Sequence, residues 1–350
     1  MRAIGRLLVV LVTAALLAAG CSAGKEAAAP AHQGWVDDEV TFTADGLTIY
    51  GTYRHDESAP AGPAALLISE SGNTDRNGDN AVAGPVGNMR QLAEYLSDKG
   101  IATLRYDKVG TGKTGLGPYA LRPTEVGSAV YDLGAKAAIR HLAGQPGTDK
   151  ARLSVYAIGE GTVHAMSLAN DTAPDAPKIH SLGLFQPLAG RYLDIITGRV
   201  QSGLAADVKA GAKNQQQADE VQKAWNAAVV EARTKGTAPA KLPEGLGAIL
   251  NASNVKAVVE ADAIDPLKSA SALPAGMPVL ATCSDADSQA TCPSDQPLFD
   301  ALAHTALTVV RLAGVSHVLR DDPTDNVGNY AKQDPLSPQL VTALDGFVDK

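Results

Sequence analysis

Aromatic side chains make up only 4% of this 350-residue chain, too few to form a stacking platform for polysaccharide. Excess positive charge is also missing: 30 Lys and Arg stand against 38 Asp and Glu, for a net charge of −8 at pH 7. With no basic stripe either, nucleic acid is excluded as a partner. His32, His55, His141, His180 and His304 show no ligand spacing with Cys or Asp, so no metal site and no cofactor are expected. The first long apolar run, Leu7 to Ala19, is too short to span a bilayer.

That run has another use. Arg2 and Arg6 precede it, and it ends Leu16-Leu17-Ala18-Ala19-Gly20-Cys21. A charged start, a short apolar core and small residues before a cysteine form a secretory leader resembling a bacterial lipobox. Residues 1–20 are expected to be removed and Cys21 lipidated, anchoring the protein to the bacterial cell membrane on its extracytoplasmic side. The alternative is an ordinary secretory signal with an incidental cysteine. Residues 21–37 are expected to form a flexible tether, being Ala/Gly/Pro-rich over most of their length. Only three cysteines are present, so lipidation of Cys21 leaves Cys283 and Cys292, an even pair in an oxidising compartment. A disulfide between them would close a loop that contains Asp287; the alternative is two unrelated thiols.

From residue 38 onward one α/β domain is expected. Val40–Thr43 and Leu47–Tyr50 form a hairpin around Asp45-Gly46. Apolar strands then alternate with helices: Ala64–Ser69, Ile101–Tyr106, Leu153–Ile158, Ser181–Phe185, Val279–Cys283 and Leu307–Leu312, with helices near Met89–Lys99, Val126–Leu142, Thr162–Ala169 and Gln339–Val348. Continuous apolar strands between helices imply a mostly parallel sheet covered on both faces. Tyr192 to Ser271, rich in Ala, Gln, Lys and Glu, breaks this rhythm as a helical insertion.

The most informative stretch is Leu153 to Ala169. A β-rich run ends in small residues and passes directly into a helical pattern, the outline of a strand–turn–helix nucleophile elbow, whose G-x-S-x-G motif raises a serine above the sheet. Here the pentapeptide is Ala157-Ile158-Gly159-Glu160-Gly161, and glycine stands where the serine belongs. Shifting the register recovers no nucleophile, because Thr162 already belongs to the helix. The elbow's backbone costs roughly 1–3 kcal/mol for a residue with a side chain, whereas glycine adopts it freely. Downstream, Asp287 follows one strand and His317 the next, the chain order of acid and histidine in such hydrolases.

These features, with Glu70-Ser71-Gly72-Asn73-Thr74-Asp75-Arg76-Asn77-Gly78-Asp79 and Leu104-Arg105-Tyr106-Asp107-Lys108-Val109-Gly110-Thr111-Gly112-Lys113-Thr114, resemble the α/β-hydrolase superfamily in its esterase and dienelactone-hydrolase-like branch. The resemblance implies an α/β-hydrolase fold with the insertion at 192–271 as a cap over the site. It matches Asp287 to the acid, His317 to the base and Gly159 to the lost nucleophile. It also matches Ser71 and Glu160 to positions whose backbone N–H groups line an oxyanion hole. Glu70 departs from the family's glycine, and its carboxylate would repel a developing oxyanion if it points inward.

Two other motifs give way to plainer readings. Val109 to Thr114 ends like a Walker A loop, but Asp107 stands where that motif needs glycine, so a turn is expected. Asp75, Arg76, Asn77 and Asp79 lack the glutamate that closes a calcium loop and are expected to brace the loop through an Asp–Arg pair. His164 is expected to be a packed helical residue.

Three functions fit. The first is an anchored hydrolase-fold lipoprotein with a degenerate Ser-Asp-His triad that binds a small acyl- or ester-like molecule, or a protein partner, without acyl-enzyme turnover. The second is a residual carboxylic-ester hydrolase in which His317 and Asp287 activate water. The third is a non-catalytic structural or interaction lipoprotein. Fold alone does not choose among them. For the anchor, Cys21→Ala is expected to abolish lipid labelling and membrane retention; labelling that persists in this variant rules Cys21 out.

Overall fold

The computed structural model describes residues 34–287 and 289–348. Cys21, the apolar run before it and the tether up to residue 33 lie outside the described residues. Strands β1 (Trp35–Ala44) and β2 (Leu47–Asp56) pair antiparallel around Asp45 and Gly46, both at positive φ. The hairpin is longer than the sequence pattern suggested. Because β2 runs on to Asp56, Trp35 to Asp37 find backbone partners, so residues 35–37 belong to the sheet and not to the tether.

Strands β3 (Gly62–Ile68), β4 (Ala102–Tyr106), β5 (Thr148–Ile158), β6 (Ser181–Phe185), β7 (Pro278–Ser284) and β8 (Ala306–Leu312) complete an eight-stranded sheet. Its order is β1-β2-β4-β3-β5-β6-β7-β8, and the pairs from β4 through β8 are parallel. Successive side chains of a strand point to opposite faces. Leu66 and Ile68 therefore join Val155 and Ala157 in one core, while Ala65 and Leu67 join Tyr156 and Ile158 in the other. Helices α1 (Asn88–Asp98), α2 (Ser128–Ala143) and α3 (Gly161–Ala169) follow β3, β4 and β5. The first core is covered by α2 and α3, and the second by α1.

Between β6 and β7 the chain forms α4 (Tyr192–Lys209), α5 (Gln215–Lys235), α6 (Leu246–Ile249), α7 (Val255–Ala263) and α8 (Pro266–Ser271). Most of this insertion has its own apolar centre: Trp225 is fully buried against Leu193, Ala228 and Leu250. At its root, Asp262 accepts hydrogen bonds from Arg191, Arg233 and the backbone N–H of Leu193.

After β7 the chain enters α9 (Cys292–Ala301), which the sequence pattern did not reveal because prolines fall at 293 and 297. Pro293 sits in the first turn, where its missing N–H is no loss, and the Thr291 hydroxyl caps the start. The short α10 (Val327–Tyr330) follows β8, and α11 (Pro338–Asp345) packs on the same core as α1. No helix among the described residues is long and apolar enough to cross a membrane.

Cys283 and Cys292 form a disulfide that ties β7 to the first turn of α9. Closing a loop this short stabilises by roughly 2–3 kcal/mol, through the unfolded chain. Replacing both cysteines by serine is expected to lower the urea-unfolding free energy by about that amount; equal unfolding midpoints would show that the bridge contributes nothing.

Candidate functional site

In a parallel sheet, sites gather beyond the carboxyl ends of the strands. Glu70 and Ser71 follow β3, Gly159 and Glu160 follow β5, Asp287 follows β7 and His317 follows β8, and the structure brings all six into one cluster. The turn between β5 and α3 rests on glycine twice. Gly159 has φ +54°, and a Cβ on Gly161 would lie 2.7 Å from the Ile68 carbonyl oxygen of β3. The Thr162 hydroxyl donates to the Gly159 carbonyl at 2.6 Å and so faces back into the turn.

The space beside Gly159 is filled. A Cβ built there would stand 1.6 Å from Glu70 Oε2. The Glu70 side chain therefore points inward, which the sequence left open. Its Oε1 accepts from the backbone N–H groups of Ser71 (2.6 Å) and Glu160 (3.3 Å). Its Oε2 accepts from His317 Nε2 at 2.6 Å, while His317 Nδ1 donates to Asp287 Oδ2 at 2.7 Å. Asp287 Oδ1 accepts from the N–H groups of Gln289 and Ala290, and the His317 N–H donates to Asp325 Oδ1.

Ionised carboxylates only accept hydrogen bonds, so an imidazole between two of them carries a proton on each nitrogen. Burial alone would lower the pKa of His317, but facing Glu70 and bonding to Asp287 and Glu70 push it up to about 10. Burial alone would raise that of Glu70, but the charge of His317 and its hydrogen bond hold it down at about 2. The lowered pKa of Glu70 and the raised pKa of His317 together favour a carboxylate–imidazolium pair at rest. In this state His317 has no lone pair with which to accept a proton.

The sequence did not flag Lys108 or Asp295. The buried Lys108 ammonium donates to the Ser69 and Glu70 carbonyl oxygens and fixes the backbone under the site. Burial lowers its pKa, opposed by Glu160 and Glu70. Asp295, on α9, is buried, and desolvation together with the charge of Asp287 pushes it up to about 8. The expected Asp–Arg brace has a different partner. Arg76 pairs with Asp107 at 2.8 Å across two segments, because the carboxyl of Asp75 is turned to the N–H groups of Asn77 and Asp79. Asp107 also accepts from the Lys113 N–H, closing the turn that imitates a Walker A end. His164 is buried near Asp132 and away from this cluster. Among the described residues no group of three or more His, Cys, Asp or Glu is placed to hold a metal ion.

Two cavities share Gln289 as a wall. One, of about 350 Å³, is lined by Glu70, Ser71, His317 and apolar residues of segments 78–88 and 318–330. The other, of about 510 Å³, lies between the first turns of α4 and the start of α9. The 192–271 insertion thus lines the second cavity, whereas the mouth beside Glu70 is built from the loops after β3 and β8. The resemblance had implied a cap over the site.

No family model matches the chain. Two uncharacterized proteins from two strains of Mycobacterium tuberculosis are 31% identical over 144 residues, or 41% of this chain and 44% of theirs. The match thus spans less than half the length of those relatives. Among solved structures, acetyl xylan esterase 1 from Thermoanaerobacterium is similar over 91% of this chain and 84% of its own, with TM-score 0.53 and 12% identity. A Pyrococcus furiosus esterase is similar over 89% and 91%, with TM-score 0.52 and 16% identity. A dienelactone hydrolase-like promiscuous phosphotriesterase from metagenomic libraries matches over 90% and 97%, with TM-score 0.50 and 14% identity.

The charged row has a pH signature. His317 holds its proton more tightly folded than unfolded, so its contribution to stability is complete below its ordinary 6.5 and is lost as pH rises through about 10. The contribution of Glu70 is complete above its ordinary 4.5 and is lost as pH falls toward about 2. Unfolding free energy should therefore decline between these two His317 values as pH is raised, and Glu70→Gln should flatten that decline. An unchanged slope in the variant, measured by urea unfolding, would show that the pair does not couple to folding. Strand order, crossing helices and these neighbours together give the described chain the α/β-hydrolase fold.

Proposed function

We propose that this protein is a lipoprotein anchored through Cys21 outside the cytoplasm, whose hydrolase-fold site binds a small acyl- or ester-like molecule without serine acyl-enzyme turnover. Gly159 occupies the nucleophile position in this reading, and Asp287 and His317 keep the acid and base positions. One observation carries it: the Glu70 carboxylate stands where the side chain of residue 159 would be and occupies both backbone N–H donors that would hold an oxyanion. Loss of the triad serine alone costs about 10⁶ in kcat in a well-studied protease. Loss of a single oxyanion donor costs about 10²–10³ more in comparable enzymes. The alternative, direct activation of water by His317, requires a neutral imidazole, and the pairing with Glu70 opposes that state.

The chain is expected to release no p-nitrophenol from p-nitrophenyl butyrate beyond its His317→Ala variant, and to remain unlabelled by a fluorophosphonate. Gly159→Ser combined with Glu70→Gly should clear the collision, become labelled at position 159 and gain turnover. Wild-type turnover that disappears in His317→Ala would overturn this reading in favour of residual hydrolysis.

A further inference from the structure

An internal group that satisfies every donor of a site reports what that site recognises. Glu70 offers one oxygen to two converging N–H groups and the other to an imidazolium, in a space left open by the missing Cβ of residue 159. This is complete recognition of a carboxylate by the protein's own carboxylate. Three further observations indicate that the occupant can be exchanged.

The backbone at Glu70 is pinned by Lys108, yet the Glu70 side chain is 24% exposed. A side chain that already reaches solvent can change rotamer without the backbone moving. Exchanging one carboxylate for another also leaves the charge on His317 compensated throughout, so no buried cation is stranded. The third observation lies beside the site. The cavity of about 350 Å³ that Glu70 lines is rimmed by Val82, 88% exposed, and Val327, 45% exposed, two of the large apolar side chains exposed among the described residues, with Ala83, Val86 and Val318 deeper in its wall. A carboxylate with an apolar tail would cover them. The volume is near the lower end of the ~300–1,000 Å³ typical of small-molecule pockets, which favours a short or medium chain.

We propose that the site binds free monocarboxylates with an apolar tail, head first on the Ser71 and Glu160 N–H groups and His317, and that Glu70 is a built-in competitor that such a ligand displaces. The proposal rests on the binding reading given above and narrows it to the acid in place of the ester. An intramolecular competitor acts at high effective concentration, so the native chain is a weak binder that favours ligands whose tails fill the cavity.

Calorimetric titration with octanoate, butyrate and octyltrimethylammonium tests this. Glu70→Ala is expected to bind octanoate at least about tenfold more tightly than wild type, butyrate more weakly than octanoate, and the cation not at all. Adding His317→Ala should abolish the gain. Glu70→Gln, which keeps the shape and fills the hole, should not show it. The wild-type chain supplies an arm independent of any variant's folding: millimolar octanoate should shift the His317 ring resonances, and octyltrimethylammonium should leave them in place. Unmoved wild-type resonances, or equal octanoate affinity in wild type and folded Glu70→Ala, would overturn the proposal. Ester turnover is a separate readout. Wild-type hydrolysis lost in His317→Ala would sink the non-catalytic reading, while the octanoate titrations would still decide whether carboxylates are recognised.

Discussion

The site depends on a single carboxylate that is bound at both of its oxygens. Glu70 accepts two backbone N–H groups on one side and an imidazolium on the other, and that imidazolium leans in turn on Asp287. Buried charges are tolerated only when they are paired and hydrogen-bonded. In this row each charge satisfies its neighbour, so removing one member leaves another exposed to a large desolvation penalty. The pairing also favours the doubly protonated imidazole, since ionised carboxylates can only accept.

That arrangement links two residues that stand far apart in the chain. Glycine at 159 supplies the left-handed turn and the empty volume; glutamate at 70 fills the volume and neutralises the donors that converge there. A Cβ at 159 and the present Glu70 rotamer cannot coexist at 1.6 Å. The two residues therefore fit together across two strand ends of an α/β-hydrolase fold. The scaffold keeps the row in place by ordinary means: Lys108 pins the loop after β3, Asp107 and Arg76 brace it from behind, and the Cys283–Cys292 bridge shortens the loop bearing Asp287.

Much of the architecture was legible because its signals are local. Apolar β-rich runs such as Leu153–Ile158 alternate with amphipathic stretches, and covered parallel strands have few other sequence solutions. Elements whose signals conflict were harder to see. Helix α9 hides behind two prolines, and the first three residues of β1 resemble tether because only their pairing with β2 makes them strand. The insertion was visible as a change of rhythm, but its position beside the second cavity was not, since α4 is placed by the Asp262 ion pairs and by packing around Trp225.

The amino-acid sequence by itself determined the order of the strands and of most helices, the glycine after β5, the Cys283 and Cys292 pair and the residues available to the site, because propensity, periodicity and composition act over a few neighbouring positions. Tertiary structure alone decided where the Glu70 carboxylate points, which partner Arg76 takes and how many protons His317 carries. Each of those is set by groups tens to hundreds of residues apart whose distances, burial and mutual charge exist only once the sheet has brought its strand ends together.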